Sequence, residues 1–96
     1  MKNYKIILQY DGSRYKGWQM QKNTDMTIQG KLEAVLERMA GHPVEIHGSG
    51  RTDAGVHALA QTADFKLEEH FNKEEIFTYL NEYLPEDIRV LAIEEV

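Results

Sequence analysis

Three observations predict an α+β fold of order β-α-β-β-α-β. Residues 4–10, 43–47, 59–67 and 88–93 are β-branched, aromatic or alternating in polarity, as strands are. Residues 28–39 and 76–84 repeat their apolar side chains with a helical period. Capping and turn residues stand at the boundaries between these stretches. This order is the split βαβ, or ferredoxin-like, arrangement: a four-stranded antiparallel sheet with two helices on one face.

The first strand is Tyr4-Lys5-Ile6-Ile7-Leu8-Gln9-Tyr10, which stops at the turn signal Asp11-Gly12. In the first helix, Ile28, Leu32, Val35, Leu36 and Met39 share one face, with Thr27 placed to cap the start and Gly41 to end it. Pro43-Val44-Glu45-Ile46-His47 reads as a short second strand. In the third, Leu59, Gln61, Ala63, Phe65 and Leu67 alternate with Ala60, Thr62, Asp64 and Lys66. Asn72-Lys73-Glu74-Glu75 has the spacing of a capping box, and Ile76, Phe77, Leu80, Tyr83 and Leu84 form an apolar stripe that Pro85 terminates. Residues 88–93 supply the last strand. The uncovered face of such a sheet predicts a partner protein or further polypeptide lying against it.

The 96 residues suit one domain, and 42% hydrophobic with 28% charged residues is an ordinary globular composition. No apolar run reaches the roughly 20 residues of a membrane span, and no signal-peptide pattern precedes the first strand, so a cytoplasmic location is expected. The absence of cysteine excludes disulfides, thiolate catalysis and thiolate metal sites. The net charge of -5 is unevenly distributed. Lys2, Lys5, Arg14, Lys16 and Lys22 face only Asp11 within residues 1–22, while residues 64–96 are strongly acidic. A basic N-terminal portion could present a positive face to phosphate; solvated surface charge is the alternative.

The candidate chemistry concentrates in His47-Gly48-Ser49-Gly50-Arg51-Thr52-Asp53-Ala54-Gly55-Val56-His57-Ala58, a glycine-rich loop between two strands. Asp53 is the candidate centre: a nucleophile, general base or metal ligand, or else an Asx-turn residue bonded to its own backbone. Arg51 would keep a neighbouring carboxylate ionised and could hold a phosphate. The loop lacks the Gly-Lys-Ser/Thr ending of a phosphate-binding P-loop, and His47 stands where a hydrolase nucleophile elbow needs glycine. His42, His47, His57 and His70 share no close metal-ligand spacing. A second cluster, Tyr10-Asp11-Gly12-Ser13-Arg14-Tyr15-Lys16-Gly17-Trp18-Gln19, interleaves aromatic and basic residues. Bases could stack on Tyr15 or Trp18 while Arg14 and Lys16 meet phosphates, or Trp18 could pack in the core.

Tyr10-Asp11-Gly12-Ser13 with Gly17-Trp18-Gln19, Gly50 to His57, and Leu84-Pro85-Glu86-Asp87-Ile88 together resemble the tRNA pseudouridine synthase A family in order and spacing. The resemblance implies isomerisation of uridine to pseudouridine in the tRNA anticodon stem-loop, at tRNA positions 38 to 40, with no cofactor. The family's catalytic aspartate maps onto Asp53, and its arginine that displaces the target nucleotide maps onto Arg51. Arg14, Lys16, Trp18 and Gln19 are the candidate tRNA contacts. The resemblance also implies a homodimer and a second half of similar topology completing the cleft; the lack of a long apolar run predicts no membrane partner. It places the family's active-site tyrosine and a basic partner of the aspartate after Val96. On this reading residues 1–96 are the N-terminal, catalytic-aspartate half, and turn over tRNA negligibly by themselves. Two alternatives are a non-enzymatic RNA-binding module, weakened by the lack of an aromatic RRM strand signature, and a small acyl- or phosphate-transfer domain.

Overall fold

A computed structural model describes residues 1–50 and 53–96. Along the chain run β1 (Lys2–Tyr10), a 3-10 turn (Gly12–Arg14), α1 (Ile28–Ala40), β2 (His47–Gly48), β3 (Ala58–Leu67), α2 (Lys73–Tyr83) and β4 (Ile88–Glu95). The sheet order is β2-β3-β1-β4, with each neighbouring pair antiparallel. This is the ferredoxin-like α+β arrangement expected from the sequence. The central strand β1 sends Tyr4, Ile6, Leu8 and Tyr10 into one core with Ile28, Leu32, Val35 and Leu36 of α1 and Ile76 and Leu80 of α2. Both helices therefore cover the same sheet face. Complete burial of each such Leu or Ile contributes about 1.5–3 kcal/mol, so this face holds the fold together.

Local chemistry sets the helix ends. The Thr27 side chain accepts the Gly30 N–H, and Gly41 closes α1 at φ 83°, a left-handed conformation suited to glycine. Two further N–H groups at the start of α1 donate into the preceding loop, Ile28 to the Gly17 carbonyl and Gln29 to the Trp18 carbonyl. Asn72 caps α2 by accepting the Glu75 N–H. The Asn81 side chain leaves α2 to bond both backbone groups of Val90, at 2.8 and 2.9 Å, which ties the helix to the edge strand β4.

Two expectations change. Residues 43–47 do alternate, with Val44 and Ile46 buried, but the ladder begins only at His47. The Ile46 N–H donates to Glu33 and its carbonyl accepts from Gln29, so α1 side chains satisfy both of its backbone groups just before the ladder starts. In β3 the inward alternation holds for Ala63, Phe65 and Leu67, yet Leu59 is 84% exposed. The β1–β3 register shifts between Leu8 and Tyr10, where Leu59 and Ala60 oppose the single residue Gln9.

The charge segregation along the sequence does not become a segregation in space. Lys2 lies 3.9 Å from Glu95 and Lys5 3.1 Å from Glu94 across the β1–β4 pair, and Arg14 lies 2.8 Å from Asp87. The basic N-terminal stretch is thus laid beside the acidic C-terminal one. No helix among the described residues is long and apolar enough to cross a membrane.

Candidate active site

Tyr10, the last residue of β1, pairs with Ala58 on one side and Ile88 on the other. The three segments that follow or precede these residues, at 11–19, 53–57 and 84–87, consequently meet at one end of the sheet. They are the same segments that the sequence singled out. A hollow of about 490 Å³ opens there, with Tyr10, Asp11, His57, Leu59, Asp87 and Arg89 in its lining.

Asp53 is exposed and begins a four-residue turn closed by the Val56 N–H donating to the Asp53 carbonyl at 3.1 Å. Gly55 has φ 78° and Ala54 does not have positive φ, as a type II turn requires. The backbone carbonyl, not the side chain, closes this turn. Among the described residues no side-chain hydrogen bond or ion pair engages the Asp53 carboxylate, so the Asx-turn reading does not hold.

The loop after β1 clamps this turn from outside. The Gly55 N–H donates to the Tyr15 carbonyl at 3.1 Å, and the Gly12 N–H donates to His57 Nδ1 at 2.8 Å. With Nδ1 accepting, the neutral His57 ring carries its proton on Nε2. Gly12 packs so closely that a Cβ there would lie 1.9 Å from the Val56 carbonyl oxygen. At the other end of the loop the Trp18 indole lies on Gly48, where a Cβ would fall 2.7 Å from the ring.

The clamp has its own anchor. Asp87 accepts from Arg14 Nε at 2.8 Å and from the Tyr15 hydroxyl at 2.6 Å, and its carbonyl accepts the Asp11 N–H at 2.9 Å. The Arg14 hydrogen bond holds the Asp87 carboxyl below its ordinary range. Burial, then the Asp87 contact, pushes the Tyr15 phenol up to about 12. Asp11 accepts the Ser13 hydroxyl and N–H, which lower its carboxyl and cap the 3-10 turn.

The remaining sequence candidates divide. Lys16 and Gln19 are exposed on the clamping loop. Arg14 is exposed but its guanidinium is committed to Asp87. Trp18 corrects the stacking expectation: it is 3% exposed and Tyr15 2%, so both rings are core, with no face open to a base. Arg51 lies outside the described residues. Asp87 was visible only as part of a motif, because its partners stand more than 70 residues away and nothing local marks the contact. Among the described residues no group of three or more His, Asp or Glu is set to hold a metal ion.

The comparisons agree on one family. A family described as tRNA pseudouridine synthase matches residues 6–96. A tRNA pseudouridine synthase A of Bacillus sp. (strain KSM-64) is 59% identical over 97% of the chain and 38% of its own length. A tRNA pseudouridine synthase A 2 of Bacillus cereus is 53% identical over the whole chain and 39% of its own length. A tRNA pseudouridine synthase A of Clostridium acetobutylicum is 44% identical, again over the whole chain and 39% of its own length. The chain thus spans about two fifths of the length of the curated relatives it matches. On the match over residues 6–96, the chain belongs to the tRNA pseudouridine synthase family.

Proposed function

We propose that this chain carries the catalytic aspartate, Asp53, of a synthase that converts uridine to pseudouridine in the tRNA anticodon stem-loop, at tRNA positions 38 to 40. The observation that carries the reading is an exposed carboxylate, unengaged among the described residues, on a turn whose backbone is fixed from a second loop. Such a group is held in place without being neutralised by the bonds that hold it. In the reaction the N1–C1′ bond breaks, the base turns, and C5–C1′ forms; the C5 proton goes to solvent and N1 takes a proton. An anionic carboxylate serves this by attacking the sugar, removing a sugar proton or adding to the ring. The target base must first leave its stack, a role that falls to Arg51. Lys16 and Gln19 contact the tRNA from the clamping loop, with Arg14 behind them. These 96 residues form the domain bearing the aspartate, the remaining length of such a synthase completes the cleft, and a homodimer binds the tRNA.

The test uses a full-length synthase carrying these 96 residues, with release of tritium from C5-labelled uridine in tRNA as the readout. Asp53→Asn is expected to lower turnover by at least about 10²-fold while folding and tRNA affinity persist. That outcome also eliminates a binding module, in which no chemistry depends on the carboxylate. Retained turnover would overturn the assignment.

A further inference from the structure

We infer that Asp87 is a positioning residue for Asp53, acting through the loop between them. The inference rests on the catalytic reading of Asp53. Asp87 stands just before β4, with an 18% exposed side chain, and among the described residues its side chain and carbonyl bond to Arg14, Tyr15 and Asp11. Those same residues hold the Asp53 turn by the Tyr15 carbonyl, the Gly12 N–H and the Gly12–Val56 contact. Tyr15 is the shared link: its hydroxyl donates to Asp87 and its carbonyl accepts from Gly55, two residues beyond Asp53. A displacement of Asp87 is therefore transmitted to the turn through one buried ring and one peptide group.

The carboxylate suits this task because it offers two acceptor oxygens to two donors at once, Arg14 Nε on Oδ2 and the Tyr15 hydroxyl on Oδ1. Alanine removes both bonds and leaves the buried Tyr15 hydroxyl without its acceptor. Asparagine keeps an acceptor for Arg14 and offers an N–H to the phenol oxygen, so it preserves the link without the charge.

In the full-length synthase, Asp87→Ala is expected to lower kcat for tritium release by about 10²-fold with KM within about threefold, the signature of a misplaced group rather than lost tRNA contact. Asp87→Asn recovers most of that loss, and Tyr15→Phe, which removes one of the two Asp87 side-chain bonds and keeps the ring, falls between. Hydrogen exchange in 15N-glycine-labelled protein gives a readout independent of chemistry: the Gly55 amide loses protection in Asp87→Ala and keeps it in Asp87→Asn. A purely stabilising residue would lower the melting temperature while kcat of the folded enzyme and Gly55 protection stayed at wild type, and that result overturns the inference. If Asp87→Ala does not fold, Asp87→Asn and Tyr15→Phe decide: wild-type kcat and Gly55 protection in Tyr15→Phe refute the link. Retained turnover in Asp53→Asn would defeat the catalytic reading separately, with Gly55 exchange still reporting whether Asp87 holds the turn.

Discussion

Replacing Gly12 by alanine perturbs the tightest contact between the two loops. The added Cβ would lie 1.9 Å from the Val56 carbonyl oxygen and 2.5 Å from its carbon, both backbone atoms that no rotamer change can move. Restoring even a 3.0 Å contact requires the loops to part by roughly 1.1 Å. A shift of that size at a group placed for chemistry lowers rate by about 10²-fold. Overpacking of a fitted contact destabilises by about 1–3 kcal/mol. The Gly12 N–H bond to His57 goes with it, a further loss of about 0.5–1.5 kcal/mol. Each kcal/mol lowers the melting temperature of a domain this size by about 4–8 °C, so the effect is large in a circular-dichroism melt of the chain. Tritium release in the full-length synthase measures the catalytic part. Gly50→Ala is the control: among the described residues its Cβ would meet only Gln61 Nε2, at 3.9 Å, so stability should stay within about 0.5 kcal/mol of wild type. A Gly12→Ala protein that melts and turns over like the parent would refute the clamp.

Two further predictions concern the body of the domain. His42 contacts Glu68, and its imidazole is raised above 6.5 by the Pro43 carbonyl first and Glu68 second, while the His42 hydrogen bond lowers Glu68 below 4.5. The raised group stabilises fully below 6.5 and loses this as pH rises through its folded value; the lowered one stabilises above 4.5 and loses this as pH falls. The melting-temperature gap between wild type and His42→Ala should therefore be widest between these values and shrink as pH rises above 6.5; a gap that does not shrink above 6.5 contradicts the pairing. Asn81→Ala leaves the Val90 N–H and carbonyl without their side-chain partner and should destabilise by about 1–3 kcal/mol in chemical denaturation, with an unchanged midpoint counting against the tie.

Where residues act on near neighbours, the sequence was legible. Thr27, Gly41 and Asn72 mark helix ends because a cap bonds within its own turn. The α1 and α2 stripes show because helical period and burial coincide. Prediction failed where a distant group decided the outcome. Glu33 and Gln29 hold the Ile46 backbone from across the helix–sheet gap, and Leu59 leaves the alternation because of a mismatch with β1. Aromatic residues among cations suggested a stacking surface, but Trp18 has Gly48 beneath it and Tyr15 has Asp87 at its hydroxyl, and both are buried. Asp53 was singled out by its glycine-rich surroundings. The clamp that holds its turn belongs to a segment about 40 positions earlier, and no local pattern encodes that contact.

The geometry at the site end follows from two register shifts rather than from turn chemistry. Continuing the Leu8–Gln61 pairing would set Tyr10 opposite Leu59, and continuing the Ile7–Ala92 pairing would set it opposite Arg89. Residues opposed in an antiparallel pair share a face, so the buried Tyr10 would draw Arg89 toward the core. An unpartnered buried charge there is strongly disfavoured. One extra residue on each strand flanking β1, in the Leu59–Ala60 stretch of β3 and at Leu91 on β4, restores the match, and Tyr10 meets Ala58 and Ile88 instead. Leu91 accordingly stands 43% exposed, as Leu59 does more fully. Asp11, His57 and Asp87 each lie one residue beyond those three. The Asp11 N–H reaches the Asp87 carbonyl and the Asp11 carboxylate comes within 3.2 Å of His57 because the core requires Tyr10 to pair with Ala58 and Ile88. Apolar patterning in the sheet thereby delivers the anchor, the clamp and the turn to one end, and the placement of Asp53 depends on the packing of residues that never touch it.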